Sequence, residues 1–196
     1  METLILASAS KARSQILSSA GVKFRTQISN VDEAAIKEDV RTASAGELAL
    51  KLAVLKAKKV ANLNKDALVI GADQVLECEG ILYDKPINRA AASCHLKALR
   101  GKTHRLISSV CVVCNSKVLW DVTDSVDLTM RDLTDEFIQS YLTQAGTAIF
   151  SSVGGYRLED LGAQLFTSVE GDFFTVLGLP LLPLLEFLRS KQILNI

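Results

Sequence analysis

Ala67-Leu68-Val69-Ile70-Gly71-Ala72-Asp73-Gln74-Val75 is the stretch on which the reading of this chain turns. A short apolar run, partly β-branched, predicts a strand buried on both faces, as in the sheets of α/β proteins. The strand is expected to end at the carboxylate. A buried charge there is costly unless it is paired, hydrogen-bonded or bound to a metal. Strand ends are also where ligands collect in α/β sheets. Taken alone, a capped turn accounts for Asp73 equally well.

Towards the amino terminus, residues 3–7 predict a first short strand, followed by Ser8-Ala9-Ser10 and a helix from Lys11 to about Ala20. Ser10 suits the N-cap and Gly21 the stop. Lys11 and Arg13 fall in the first helical turn, where the macrodipole disfavours cations. An anion bound by that turn would explain them. Two long side chains reaching into water explain them as well, at a cost of only a few tenths of a kcal/mol. Residues 24–28 predict a second strand, and Val31-Asp32-Glu33 a polar loop. Ser44-Ala45-Gly46-Glu47 is a capping box that opens a helix through about Ala61. That helix is apolar nearly all round and is expected to be well buried. Lys51, Lys56, Lys58 and Lys59 interrupt it, and periodicity does not say which of them matters.

Towards the carboxyl terminus, residues 75–77 and 81–83 flank Glu79-Gly80 as a hairpin. Pro86 holds Lys85 extended in the next loop. Asn88 caps a helix that runs to about Arg100 and stops at Gly101. Two long strands, 103–114 and 117–128, meet at Asn115-Ser116, and a helix over 135–144 closes at Gly146. Ser152-Val153-Gly154-Gly155-Tyr156-Arg157-Leu158-Glu159 is a glycine-rich loop that permits close backbone approach to a ligand or serves a plain turn. Residues 173–177 predict a strand, Gly178-Leu179-Pro180 a turn, and the remainder a helix to about Arg189. Early alternation of strand and helix around a central hairpin predicts an α/β fold with a mixed central sheet, as one domain over 1–196.

Composition narrows the function. Lys+Arg and Asp+Glu balance at 22 each, so no global basic field draws nucleic acid. Apolar residues make up 48% and charged residues 22%, as expected of a soluble globular chain. The amino terminus lacks the features of a signal peptide, and the apolar stretch 173–185 is short and carries Pro180 and Pro183, so no membrane span is expected. Of the four cysteines, Cys111 and Cys114 have C-x-x-C spacing within a strand, which points them to opposite faces. Cys78, Cys94, Cys111 and Cys114 therefore read as buried free thiols in a reducing, cytoplasmic compartment. There is no P-loop, Rossmann fingerprint or nucleophile elbow. His95 and His104, the two histidines, read as packing or surface residues.

What remains is a set of acids, Asp32, Glu33 and Asp73, and of cations, Lys11, Arg13, Lys56 and Lys85, near element ends. Converged, carboxylates can hold a hard divalent cation that bridges to phosphates. The cations would neutralise developing charge, and a carboxylate would act as base for water. Spacing alone does not establish that convergence.

Leu6-Ala7-Ser8-Ala9-Ser10 with Arg13, Asp32-Glu33, Lys56-Ala57, Gly71-Ala72-Asp73, Lys85-Pro86, Gly101-Lys102-Thr103-His104 and Gly178-Leu179-Pro180 occur in the order found in the Maf (septum-formation) family, and the chain resembles that family from about residue 4 to 189. The resemblance implies a fold like that of the inosine triphosphate pyrophosphatases, with a cleft between two lobes. It implies cleavage of a nucleoside triphosphate to the monophosphate and pyrophosphate. Asp73 matches the family's proton acceptor, and Lys56 and Lys85 join it as catalytic residues. Ser8, Ser10, Lys11, Arg13, Glu33, Gln74 and Glu159 are the implied substrate contacts. Glu33 and Asp73 would hold Mg²⁺ or Mn²⁺. The implied partners are a small-molecule nucleoside triphosphate and a second copy of the chain as a homodimer, with neither nucleic acid nor membrane.

The chain departs from the family in one place that bears on phosphate binding. Where members commonly carry Ser-Pro-Arg-Arg, it has Ser10-Lys11-Ala12-Arg13, and a lysine head cannot reproduce a bidentate arginine grip. Asp73-Gln74 and Tyr156-Arg157-Leu158-Glu159 resemble the 7-methyl-GTP pyrophosphatase branch, whereas dTTP and UTP enzymes typically carry Asp-Thr and Tyr-x-Ile-Gln. Glu159 would accept from a guanine edge or face a cationic methylated purine. It could instead pair with Arg157 or help to bind metal. Two alternatives remain open: a dTTP/UTP enzyme, and an impaired nucleotide-binding regulator linked to cell-division arrest.

Overall fold

The stretch 67–75 does not end at its carboxylate. In the computed structural model, which describes residues 3–39 and 44–194, a single strand runs from Leu68 to Cys78 with Asp73 at its middle. The strand continues because its second half pairs antiparallel with Ile81–Tyr83, with Leu76 opposite Tyr83. The expected hairpin at Glu79-Gly80 is therefore the end of this strand, and both turn residues take positive φ.

In chain order the elements are β1 (Leu4–Leu6), α1 (Lys11–Ser19), β2 (Arg25–Thr26), α2 (Glu33–Asp39), α3 (Ala45–Ala61), β3 (Leu68–Cys78), β4 (Ile81–Tyr83) and α4 (Arg89–Leu99). Then follow β5 (Thr103–Cys114), β6 (Lys117–Met130), α5 (Asp135–Ala145), β7 (Phe166–Glu170), α6 (Phe173–Val176) and α7 (Leu181–Ser190). The strands form one mixed sheet in the order β2-β1-β3-β5-β6-β7, with β4 also on β3. β1 is parallel to β2 and β3, and β6–β7 is antiparallel with an irregularity at Thr129/Met130.

The chain divides into two compact units: residues 1–74, 108–124 and 178–196, and residues 75–107 and 125–177. The first has a core of β1, α3, β3 and β5 side chains, among them Ile5, Ala53, Ala57, Val69 and Cys111. The second is built around Leu76, Leu96, Leu99, Leu106, Leu128 and Ile138.

Several sequence expectations are revised. Glu33 does not sit in the loop: Asp32, still outside the helix, accepts from Ala35 N through Oδ1 at 3.2 Å, and α2 starts at Glu33. The cap was readable, but no long apolar stripe announced a helix behind it. The predicted strand over 173–177 is the short helix α6, because Asp172 caps it through Thr175 N at 3.0 Å. β7 takes the strand position instead. α3 is buried on one face only, and Leu50, Val54 and Leu55 stay half-exposed. Cys94 is exposed, while Cys78 and Cys111 are the buried free thiols. Met1 and Glu2 of the amino-terminal stretch lie outside the described residues. Among the described residues no helix is long and apolar enough to cross a membrane.

Candidate functional site

The site in the first unit begins with a missing side chain. A Cβ on Gly71 would lie 2.1 Å from Ala53 O and 2.8 Å from Ala57 Cβ, so only glycine lets α3 lie this close to β3. Ala53 and Ala57, four residues apart, offer the matching small stripe. Side chains two apart on a strand share a face, so Asp73 points to the same side as Gly71. Lys56 lies on the buried stripe of α3, alongside Ala53, Ala57 and Val60. Its Nζ therefore donates to Asp73 Oδ1 and stands 2.6 Å from Glu33 Oε1 at the start of α2. Lys56 and Asp73 are buried, and the Glu33 side chain keeps 45% of its exposure.

Arg13 closes the cluster from the other side. The Ser10 side chain caps α1 by accepting from Arg13 N at 3.3 Å, which orients the first turn. The guanidinium then donates from Nε to Gly178 O at 2.7 Å and from Nη1 to Ala72 O at 2.9 Å and Ser8 Oγ at 3.3 Å. Burial pulls the guanidinium below its usual pKa, while Asp73 and Glu33 pull it back up. Gly178 is required here for two reasons: its φ is +89°, and a Cβ would stand 3.2 Å from Arg13 Nη2. The carbonyl grips of Gly178 and Ala72 were not legible in the sequence, since any residue type supplies a carbonyl. Gln74 donates from Nε2 to Ser108 Oγ at 3.1 Å. Lys11, the first residue of α1, is exposed.

The structure thus brings Ser8, Ser10, Arg13, Glu33, Lys56 and Asp73 together on one unit. Lys85 and Glu159 belong to the second unit. Lys85 is exposed beside buried Pro86. Glu159 Oε1 pairs with Arg157 at 2.9 Å, and Arg157 also reaches Asp160 at 2.9 Å, so the intramolecular pairing weighed for Glu159 is the one observed.

The loop bearing that ion pair is anchored by a buried histidine. His104 Nε2 and Tyr156 Oη are 2.7 Å apart, and both rings pack on Phe166. Burial lowers the His104 pKa to about 4 and raises that of Tyr156. The reading of His104 as a packing residue holds, and its hydroxyl partner is new. His95 packs edge-on to Tyr83.

Two carboxylates that reach one ammonium also converge on one point where a metal could be held. No group of three His, Cys, Asp or Glu gathers among the described residues. Mg²⁺ needs no such group, because it keeps several waters and takes the rest of its oxygens from one or two carboxylates and substrate phosphates. Glu33 and Asp73 fit that requirement.

A family model described as Maf-like protein matches residues 3–191. A nucleoside triphosphate pyrophosphatase of Nitrobacter winogradskyi is 47% identical over 100% of this chain and 96% of its own. Another from Paramagnetospirillum magneticum is 49% identical over 95% and 97%. A 7-methyl-GTP pyrophosphatase of Rhizobium johnstonii is 45% identical over 95% of both chains. Of solved structures, a HAM1 protein from Coxiella burnetii matches 68% of this chain and 75% of its own, at TM-score 0.43 and 13% identity, and adds nothing to the architecture described above.

Proposed function

The chain belongs to the Maf family and is a nucleoside triphosphate pyrophosphatase, and from that premise we propose how it acts and on what. The observation that carries the mechanism is the contact of Lys56 with both Asp73 and Glu33. Water attacks the α-phosphorus, the bond from that phosphorus to the bridging oxygen breaks, and pyrophosphate leaves. Asp73 accepts the water's proton. Lys56 engages Oδ1, and Oδ2 is assigned as the accepting oxygen. Arg13 and Lys56 meet the charge that develops on the phosphates, and the rigid fork of Arg13 holds its place through two backbone carbonyls. Glu33 and Asp73 would hold the divalent cation, which when bound supplies further neutralisation of the polyphosphate.

The substrate is a modified guanine nucleotide of the 7-methyl-GTP class. Gln74 and Glu159 support this reading, as does the Rhizobium relative's name. A cationic methylated purine competes with Arg157 for the Glu159 carboxylate, whereas neutral pyrimidines have no charge with which to do so. The test is pyrophosphate release from 7-methyl-GTP, GTP, dTTP, UTP and CTP with Mg²⁺ or Mn²⁺ and with chelator. Preference for 7-methyl-GTP that disappears in Glu159→Gln is expected. A dTTP or UTP preference refutes the substrate, and near-wild-type turnover by Asp73→Asn refutes the base.

A further inference from the structure

The two carboxylates assigned to the divalent cation already share a cation of the chain itself. Lys56 Nζ stands 2.6 Å from Glu33 Oε1 and donates to Asp73 Oδ1. These are oxygens a metal would take, and an ammonium and a dication cannot hold them together without strong repulsion at contact range. Arg13 feels both carboxylates as well. The cluster of Glu33, Asp73, Lys56 and Arg13 therefore holds two negative and two positive charges.

A free dication would also have to break two charge-assisted contacts and strand a buried ammonium. Breaking one side of a buried ion pair is the costly case, because the remaining charge has lost both water and partner. A triphosphate arriving with its metal changes that balance. Its phosphate oxygens offer Lys56 a new anion at the moment the carboxylates are taken. The lysine head can make that move on its own four-carbon stem, while the backbone of α3 stays held against Gly71 through Ala53 and Ala57.

We propose that Lys56 is an internal counter-ion that competes with the divalent metal for Glu33 and Asp73, so that the free enzyme excludes free metal and admits it only together with the nucleotide. The inference rests on reading those two residues as the metal's donors. Lys56 then has two successive tasks, holding the carboxylates in the resting state and binding phosphate in the loaded one.

The experiment is Mn²⁺ binding to the nucleotide-free protein, followed by the electron paramagnetic resonance of unbound Mn²⁺, with Mn²⁺-dependent melting as a second readout. Lys56→Met keeps the stem and removes the charge. It is expected to bind Mn²⁺ roughly tenfold or more tightly than the wild type, and its melting temperature should rise with Mn²⁺ while that of the wild type does not. Lys56→Arg should behave as the wild type, and Glu33→Gln added to Lys56→Met should abolish the gain. Equal binding by wild type and Lys56→Met, lost in both with Glu33→Gln, overturns the competition and leaves the metal donors standing. No binding by folded Lys56→Met overturns the donors and the proposal together. A measurement on the wild type, with lysines labelled with ¹⁵N, needs no variant to fold. The Lys56 ammonium resonance should hold its position in Mg²⁺ alone and shift when Mg²⁺ and a non-hydrolysable triphosphate analogue are added together. A shift in Mg²⁺ alone overturns the proposal.

Discussion

Gly71→Ala tests whether the closeness of α3 to β3 is what places Lys56 against Asp73. The added methyl would stand 2.1 Å from Ala53 O and 2.8 Å from Ala57 Cβ. Restoring even 3.0 Å to the carbonyl requires α3 to withdraw by about 0.9 Å, and the obstacle is backbone that no rotamer change can clear. Overpacking of this kind costs about 1–3 kcal/mol. For a chain of this size each kcal/mol lowers the melting temperature by about 2–4 °C, so a fall of about 2–12 °C is expected, towards the upper end because the clash is with main chain. Lys56 sits on the moving helix and Asp73 on the strand that stays. A displacement of about 1 Å at a reacting centre can cost on the order of a hundredfold in rate. Circular dichroism melting and pyrophosphate release on the same preparation read the two effects. A folded Gly71→Ala protein with unchanged melting temperature and unchanged kcat/KM would refute the argument that this contact builds the site.

Two further perturbations follow from the same geometry. Arg13→Lys keeps the charge but loses the fork that donates to Gly178 O and Ala72 O; kcat/KM for pyrophosphate release should fall at least about tenfold, and activity within twofold of wild type would show that the fork is dispensable. His104 should make stability depend on acid: an unfolded imidazole protonates near 6.5 and the buried one only near 4, so the unfolded state gains protons first and stability falls by about 3 kcal/mol as pH drops from 6.5 to 4, then levels. Melting temperatures of His104→Gln across that range should fall less steeply than those of the wild type, and parallel curves would refute the assignment.

How much of this was readable beforehand depends on which physical signal each residue carried. The caps were legible because they are local: Ser10, Ser44, Asn88 and the stop at Gly101 all do what their spacing implied. Asp73 announced itself as a charge in an apolar run. That it lies mid-strand did not, because the β4 pairing that extends β3 is made by residues further along the chain. Lys56 was one of four lysines on α3 until the sheet chose the buried face. The reason for that choice, Gly71 against Ala53 and Ala57, is a contact between separate elements of the chain, which a local pattern does not contain. α2 and α6 were misread for a related reason. A helix of seven or four residues is too short for a 3.6-residue period to separate it from a loop or a strand. Of the ordered short motifs, those carrying Ser8, Ser10, Arg13, Glu33, Lys56 and Asp73 fall together on the first unit, a grouping that no single motif implied.

The departure at Lys11-Ala12 can now be weighed against what holds Arg13. The first turn of α1 is capped by Ser10 through Arg13 N, and Ser14 N bonds back to Ser10 O at 3.2 Å, so the turn forms without a proline at position 11. The Arg13 head is fastened to Gly178 and Ala72, neither of which depends on residues 11 or 12. Lys11 is exposed at a helix end where the macrodipole repels cations by about 0.3–1 kcal/mol. On the proposed reading, in which Lys11 contacts the substrate, its charge is a small liability to the empty enzyme and an asset to the loaded one. An exposed contact of this kind contributes about 0.2–1 kcal/mol to binding. Lys11→Ala should accordingly raise KM up to about fivefold at unchanged kcat, since the contact is made equally in ground and transition states. The same substitution should leave the melting temperature unchanged or slightly higher. A fall in kcat with KM unchanged would place Lys11 against the transition state, and a drop in melting temperature would make it part of the helix's own support; either result refutes the assignment.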